Sequence, residues 1–381
     1  MSISIRLALV VTACVMATGF AASPARQSEV TVHEWGTFTS VAGEDGKAVR
    51  WLTLDGPTDL PCFVARAREW SSKATMAATV RMETPVLYFY APREATVDVR
   101  VGFRQGLITE YFPAASVKPA AITPTGLVEP ESTSTISWRG VTIQPDAAPA
   151  FHTERQPNHY YAARATDAAV LTVGRDKERF LFYRGIASFG LPISATVSDN
   201  DDVVVNTGGE TIPALMLYEN RSDRIGYRLR DGVSGKARLA RAEPHSSLEE
   251  TRAALEQILM AQGLYPREAA AMVETWRDSW FTEGTRLFYI VPSRMVDDIL
   301  PLRIDPAPAR LARVFVGRLE LATAATLSDI NSAARTGNYA RLLEYGRFLR
   351  PFAERLNLDP SSLDGALQAS TEHITRVDTC R

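Results

Sequence analysis

At 381 residues, 45% hydrophobic and 23% charged, the chain is long and apolar enough to fill two or three domain cores. Its formal net charge of −2 supplies no bulk field toward nucleic acid or anionic lipid, and a nucleic-acid partner is excluded from the expectations on that ground.

Arg6 precedes the apolar run LALVVTACVMATGFAA, which ends among small residues near Ala21–Ala25. A basic start, apolar middle and small-residue exit read as a secretory signal peptide over 1–22, which places the mature protein in the periplasm or outside the cell. Val11-Thr12-Ala13-Cys14 also resembles a lipoprotein box, and anchoring through Cys14 is the alternative. No later segment approaches the roughly 20 apolar residues of a spanning helix, so no transmembrane span is expected once the signal is gone. Two cysteines then remain in an oxidising compartment. Either Cys62 and Cys380 form one disulfide that pins the C-terminus to the N-terminal region, or Cys62 is buried and Cys380 free.

Residues 30–40, VTVHEWGTFTS, alternate as a strand, and Asp45-Gly46 is expected to turn the chain back into a second hairpin arm over 49–54. A short helix is expected within 66–76. VRMETPVLYFY (Val80–Tyr90) reads as a central strand, apolar on both faces in its second half, with Arg81 and Glu83 sharing one face. Residues 95–103 show the cleanest alternation in the chain. The short link before them predicts an antiparallel neighbour to the central strand and a meander completed by 107–112. Strands follow at 136–143 and 179–189, then a hairpin of 203–205 with 212–218 through Gly208-Gly209, then 225–229 before a turn at Asp231-Gly232.

Near Glu243 the period changes from two to that of a helix. Ser246 or Ser247 with Glu249 and Glu250 can cap a helix closed by Gly263, and Pro266 opens a second one with the stripe Ala269, Met272, Val273, Trp276 and Trp280. Strands at 287–291 and 314–321 flank a short helix around 295–299. Helices are expected at 338–356, broken near Pro351, and at 361–371. The fold class is therefore α+β: an antiparallel, β-sandwich-like domain over 27–243 and a helix-rich mixed domain over 244–381.

On the pleat of their strand, His33 and Glu34 point to opposite faces, and Glu34 is driven toward the core, where a carboxylate needs a cation or several donors. Arg184, within RFLFYRGIASF, is the matching inward charge, and Arg81 is another. The bland reading is structural ion pairing. The functional reading makes Glu34, Glu83 and His159 catalytic candidates, with Arg81, Arg184, Arg164 and Asp167 binding a ligand. His33, His152, Glu154 and His159 form the weak candidate set for a divalent metal, the one cofactor weighed, although no HExxH spacing occurs.

The segments VHEWGTFTS (Val32–Ser40), METPVLYFY (Met82–Tyr90), HYYAARATDAA (His159–Ala169) and RFLFYRG (Arg179–Gly185) resemble an uncharacterised family of exported bacterial proteins. GTRLFYIVP and RVFVGRLEL extend the resemblance over most of the mature chain. It implies a bacterial exported protein and brings no activity. The expected function is a ligand- or partner-binding envelope protein. The alternatives are a metal-assisted or carboxylate-dependent hydrolase and a purely structural envelope component.

Overall fold

The computed structural model describes residues 29–54, 60–66, 77–120, 133–198, 200–358, 363 and 365–366. Two sheets carry the fold. The ten-stranded sheet runs β11 (Ser194–Val197), β12 (Val203–Arg221), β14 (Gly284–Ile290), β16 (Arg310–Leu321), β1 (Thr31–Val41), β3 (Val80–Tyr90), β10 (Leu181–Ala187), β5 (Gly106–Phe112) and β2 (Ala65–Arg66), with β13 (Arg224–Leu239) paired to β12. The six-stranded sheet runs β15 (Leu302–Asp305), β4 (Ala95–Arg104), β7 (Thr133–Gln144), β8 (Val170–Val173) and β9 (Asp176–Glu178), with β6 (Ser116–Lys118) on β7. The strand-rich N-terminal region and helix-rich C-terminal region make the α+β architecture expected from the sequence.

The large sheet is covered on both faces at its centre, where β1, β3 and β10 are buried along nearly their whole length. Between the sheets, Val32, Phe38, Met82 and Leu87 meet Val97, Val99, Val101, Ile136 and Trp138. On the opposite face, Trp35, Val86, Tyr88, Met216 and Phe288 pack under α1 (Leu248–Ala261), α2 (Pro266–Thr275) and α3 (Arg277–Trp280). Ser247 and Glu250 form the capping box of α1, and Pro266 is the first residue of α2. α4 (Ser293–Ile299) closes one end of the sandwich through Val296. α5 (Ala324–Thr336), α6 (Tyr339–Leu343) and α7 (Leu349–Arg355) cover Val41 and Trp51.

Several local expectations are corrected. Residues 49–54 form only isolated bridges, Ala42 with Ala48 and Trp51 with Ala78, because β1 already has β3 antiparallel on one side and β16 parallel on the other. β4 is not a neighbour of β3; the link 91–94 crosses from one sheet to the other, and β4 pairs with β7 and β15. Its exposed Thr96, Asp98 and Arg100 need a water-facing side, which the smaller sheet provides. β12 is one strand bent at Gly208 and Gly209, both at positive φ, and β13 likewise runs through Gly232. The break in the last helical stretch lies at Gly346, with φ of 50°, while Pro351 sits in the first turn of α7, where its missing N–H costs nothing. The sequence reading contained no counterpart to α5. The expected helix at 66–76 and most of that at 361–371 lie outside the described residues.

Candidate functional site

The inward charges named from the pleat are inward, and they are sealed in separate groups. Glu34 is fully buried; the Tyr183 hydroxyl donates to its Oε1 at 2.6 Å and Arg313 Nε to its Oε2 at 2.6 Å. Arg313 reaches on to the exposed Asp297 at 2.8 Å. Burial and the Glu34 charge push the Tyr183 hydroxyl far above its ordinary value, so it serves Glu34 as a neutral donor. The cation expected for Glu34 is therefore Arg313 rather than Arg184 or Arg81. Arg184 pairs with buried Glu110 at 3.1 Å, directly across β10 and β5.

Arg81 and Glu83 do share a face, and Arg81 Nε lies 3.0 Å from Glu83 Oε1 while its Nη1 donates to the Thr53 carbonyl. Arg347 and the Thr39 hydroxyl also donate to Glu83, at 2.9 and 2.8 Å. Burial alone would raise the Glu83 carboxyl, but Arg347, Arg81, Arg318 and Thr39 outweigh it and hold the group below its ordinary value. Next along the same face, Glu320 takes Arg318 at 2.5 Å and Arg286 at 3.0 Å. Burial pulls the Arg286 guanidinium down to about 10, and the backbone carbonyls of Trp280 and Glu283 accept from it. These groups tie α3 and the 3-10 turn Gly346–Phe348 to the strands.

The weak metal set is not brought together. His33 lies on the α2 face, His152 is exposed beside Phe63 and Phe112, and His159 lies against Trp276. Glu154 accepts from the Cys62 amide. Among the described residues no group of three His, Cys, Asp or Glu side chains could hold a metal ion. Arg164 makes a two-pronged ion pair with buried Glu178 at 2.7–3.2 Å and lies over Phe151 and Tyr161, and Asp167 pairs with Arg267 at the surface. Cys62 is engaged rather than free, but Cys380 lies outside the described residues, and their pairing stays an expectation.

The arrangement with the chemistry of a site involves His33 in a different company. Its Nδ1 lies 2.7 Å from Oε2 of fully buried Glu268, in the first turn of α2. The Tyr90 hydroxyl donates to the other oxygen at 2.8 Å, and the Tyr265 amide donates to Oε2 at 2.7 Å. The imidazole forms a cluster with the rings of Tyr265 and Tyr90, at 4.5 and 5.6 Å, and those two rings lie 5.0 Å from each other. Among the described residues its Nε2 meets no hydrogen-bond partner. A carboxylate that fixes one ring nitrogen orients the other for acid–base work. Sequence reading missed Glu268, because a glutamate three residues past a helix start signals a cap, which this one also provides.

Two grooves open elsewhere. One of about 600 Å3 is walled by Phe189, Leu191, Pro192 and Ile193, with Lys47, Asn206 and Glu210 at its rim. A second, of about 500 Å3, lies among Phe63, Phe112, His152, Arg175 and Asp176. No protein-family model matches the chain, and no curated protein is similar to it. No helix among the described residues is long and apolar enough to cross a membrane.

Proposed function

We propose that the chain is an exported bacterial envelope protein that holds a ligand with an apolar body and a polar end. The carrying observation is the 600 Å3 groove, whose apolar wall at 189–193 faces a polar rim. The rim is braced by its own hydrogen bonds: the Thr207 hydroxyl donates to the Glu210 carbonyl at 2.6 Å, and the Gly208 amide donates to Asn206 Oδ1 at 3.1 Å. A braced rim loses little freedom on binding. The signal-like N-terminus and the resemblance to exported proteins supply the compartment. The test is titration of the purified mature protein with the amphipathic dye anilinonaphthalene sulfonate. Saturable binding that is lost in Leu191→Asp supports the reading; binding that does not saturate, or that survives the substitution, ends it.

A second reading, a carboxylate-dependent hydrolase, draws on the oriented imidazole of His33 and its carboxylate Glu268. A panel of chromogenic esters, compared between the wild type and a folded His33→Gln variant, decides it.

A further inference from the structure

The geometry points to a separate site for a tetrahedral oxyanion, a phosphate or sulfate group, at the tip of the β12–β13 hairpin. The tip is a two-residue turn, Ser222-Asp223, with both residues at positive φ, so that Arg221 and Arg224 stand directly opposite each other. Residues paired in this way project to the same face, and like charges in that relation repel. A third guanidinium, from Arg241, joins them around a cavity of about 80 Å3 whose remaining lining is Glu219, Ala242 and Pro244.

The concentration of positive charge is built rather than incidental. Arg241 crosses the hairpin because the chain at 242–243 lies directly on Gly226. A Cβ there would come within 2.2 Å of the Glu243 carbonyl, so only glycine admits the segment. Glu219, 5% exposed, forms the floor and fixes two of the three arginines: Arg221 pairs with it, and Arg241 Nη2 lies 3.2 Å from its Oε1. Asp201 stands farther off, 3.9 Å from Arg221 and 3.7 Å from Arg241. Other nearby acids are committed: Asp202 takes Arg238 at 2.7 Å, while Glu283 takes Arg341 at 2.9 Å and the Ser222 amide at 2.8 Å.

Glu219 and Asp201 engage Arg221 and Arg241, Asp223 of the turn is exposed to water, and Arg224, exposed on the strand, has no ion-pair partner among the described residues. Guanidinium forks match the oxygens of a phosphate or sulfate group. The cavity of about 80 Å3 has room for one such group. The site stands at the opposite end of β12 from the groove at Asn206–Glu210, so it does not depend on the ligand proposed there.

The test is calorimetric titration of the mature protein with inorganic phosphate, with sodium chloride at matched ionic strength as control. The expected result is saturable phosphate binding, weakened about tenfold in Arg224→Ala, as loss of one charge-assisted hydrogen bond implies, and unchanged in Arg230→Ala on the same strand. Arg224 has no partner to orphan, and matching melting temperatures check that its variant is folded. Equal responses to phosphate and chloride, or equal weakening in the two variants, overturn the site. Glycerol 3-phosphate binding tighter than inorganic phosphate assigns the group to a phosphomonoester such as a lipid headgroup; equal or weaker binding assigns it to the free ion.

Discussion

His33 and Glu268 meet at 2.7 Å although 235 positions separate them in the chain. The contact joins the first strand to the N-terminal turn of α2, and the Tyr90 hydroxyl and Tyr265 amide donate to the same carboxylate. Glu268→Ala leaves the imidazole, the Tyr90 hydroxyl and the Tyr265 amide without their acceptor. The expected loss is about 3–5 kcal/mol, the usual consequence of removing one side of a buried, hydrogen-bonded charge. Urea unfolding followed by tryptophan fluorescence reads it; a loss under about 1 kcal/mol, the range of an exposed pair, contradicts the described burial.

Glu34 and Arg313 allow a cleaner distinction between structure and chemistry. Glu34→Leu alone is expected to cost about 3–5 kcal/mol by stranding Arg313, whereas Glu34→Leu with Arg313→Met is expected to recover most of that loss, the remainder being the Tyr183 hydroxyl left without its acceptor. The measurement is a double-mutant cycle by chemical denaturation. Additive losses would show that the two side chains do not interact.

The depressed carboxyl of Glu83 has a consequence in acid. A group whose folded value lies below its unfolded one adds stability above the unfolded value and loses it as pH falls through the folded one. The wild type is therefore expected to lose stability progressively below about pH 4.5, the group's ordinary value, and Glu83→Gln to show a shallower acid limb. Melting temperatures at stepped pH supply the comparison. Parallel curves would remove Glu83 as a source of acid sensitivity.

Glycines provide a steric test of the sandwich. A Cβ on Gly185 would lie 1.9 Å from the Leu107 carbonyl, whereas one on Gly190 meets nothing within 4 Å. Gly185→Ala should lower stability by more than the roughly 1–3 kcal/mol of ordinary overpacking, because the obstacle is backbone. Gly190→Ala should change it by less than about 0.5 kcal/mol. Thermal unfolding by circular dichroism ranks the two.

The proposed export is checked at the N-terminus. Intact-mass measurement of protein recovered from a bacterial periplasm is expected to show a chain starting close to Ser23, with Cys14 removed. An acylated N-terminal cysteine would favour the lipoprotein alternative instead.

Single strands were legible where their chemistry was local. The pleat of β1 separated His33 from Glu34 and sent Glu34 inward, and the alternation of β4 announced one wet face. What the pleat could not name was the partner. Arg313 lies 279 positions from Glu34 and reaches it through a parallel pairing whose register nothing local specifies. The same limit hid the crossing between layers: a short link suits a hairpin and a step between two sheets equally well. Gly208-Gly209 and Asp231-Gly232 carry turn residues yet form bends in one long ribbon, because β12 and β13 keep pairing on either side of them. Of the nominated residues, Glu34, Arg81 and Arg184 were correctly placed in the interior, while Asp167 lies at the surface, and the groupings were set by tertiary neighbours.

The pairing of β1 with β16 also bears on the order of events in the cell. β1 cannot gain β16 as its neighbour until some 279 further positions have been synthesised. Premature completion of the large sheet is therefore precluded by connectivity itself. A chain bound for a narrow translocation channel would in this way keep the large sheet incomplete until β16 had been synthesised.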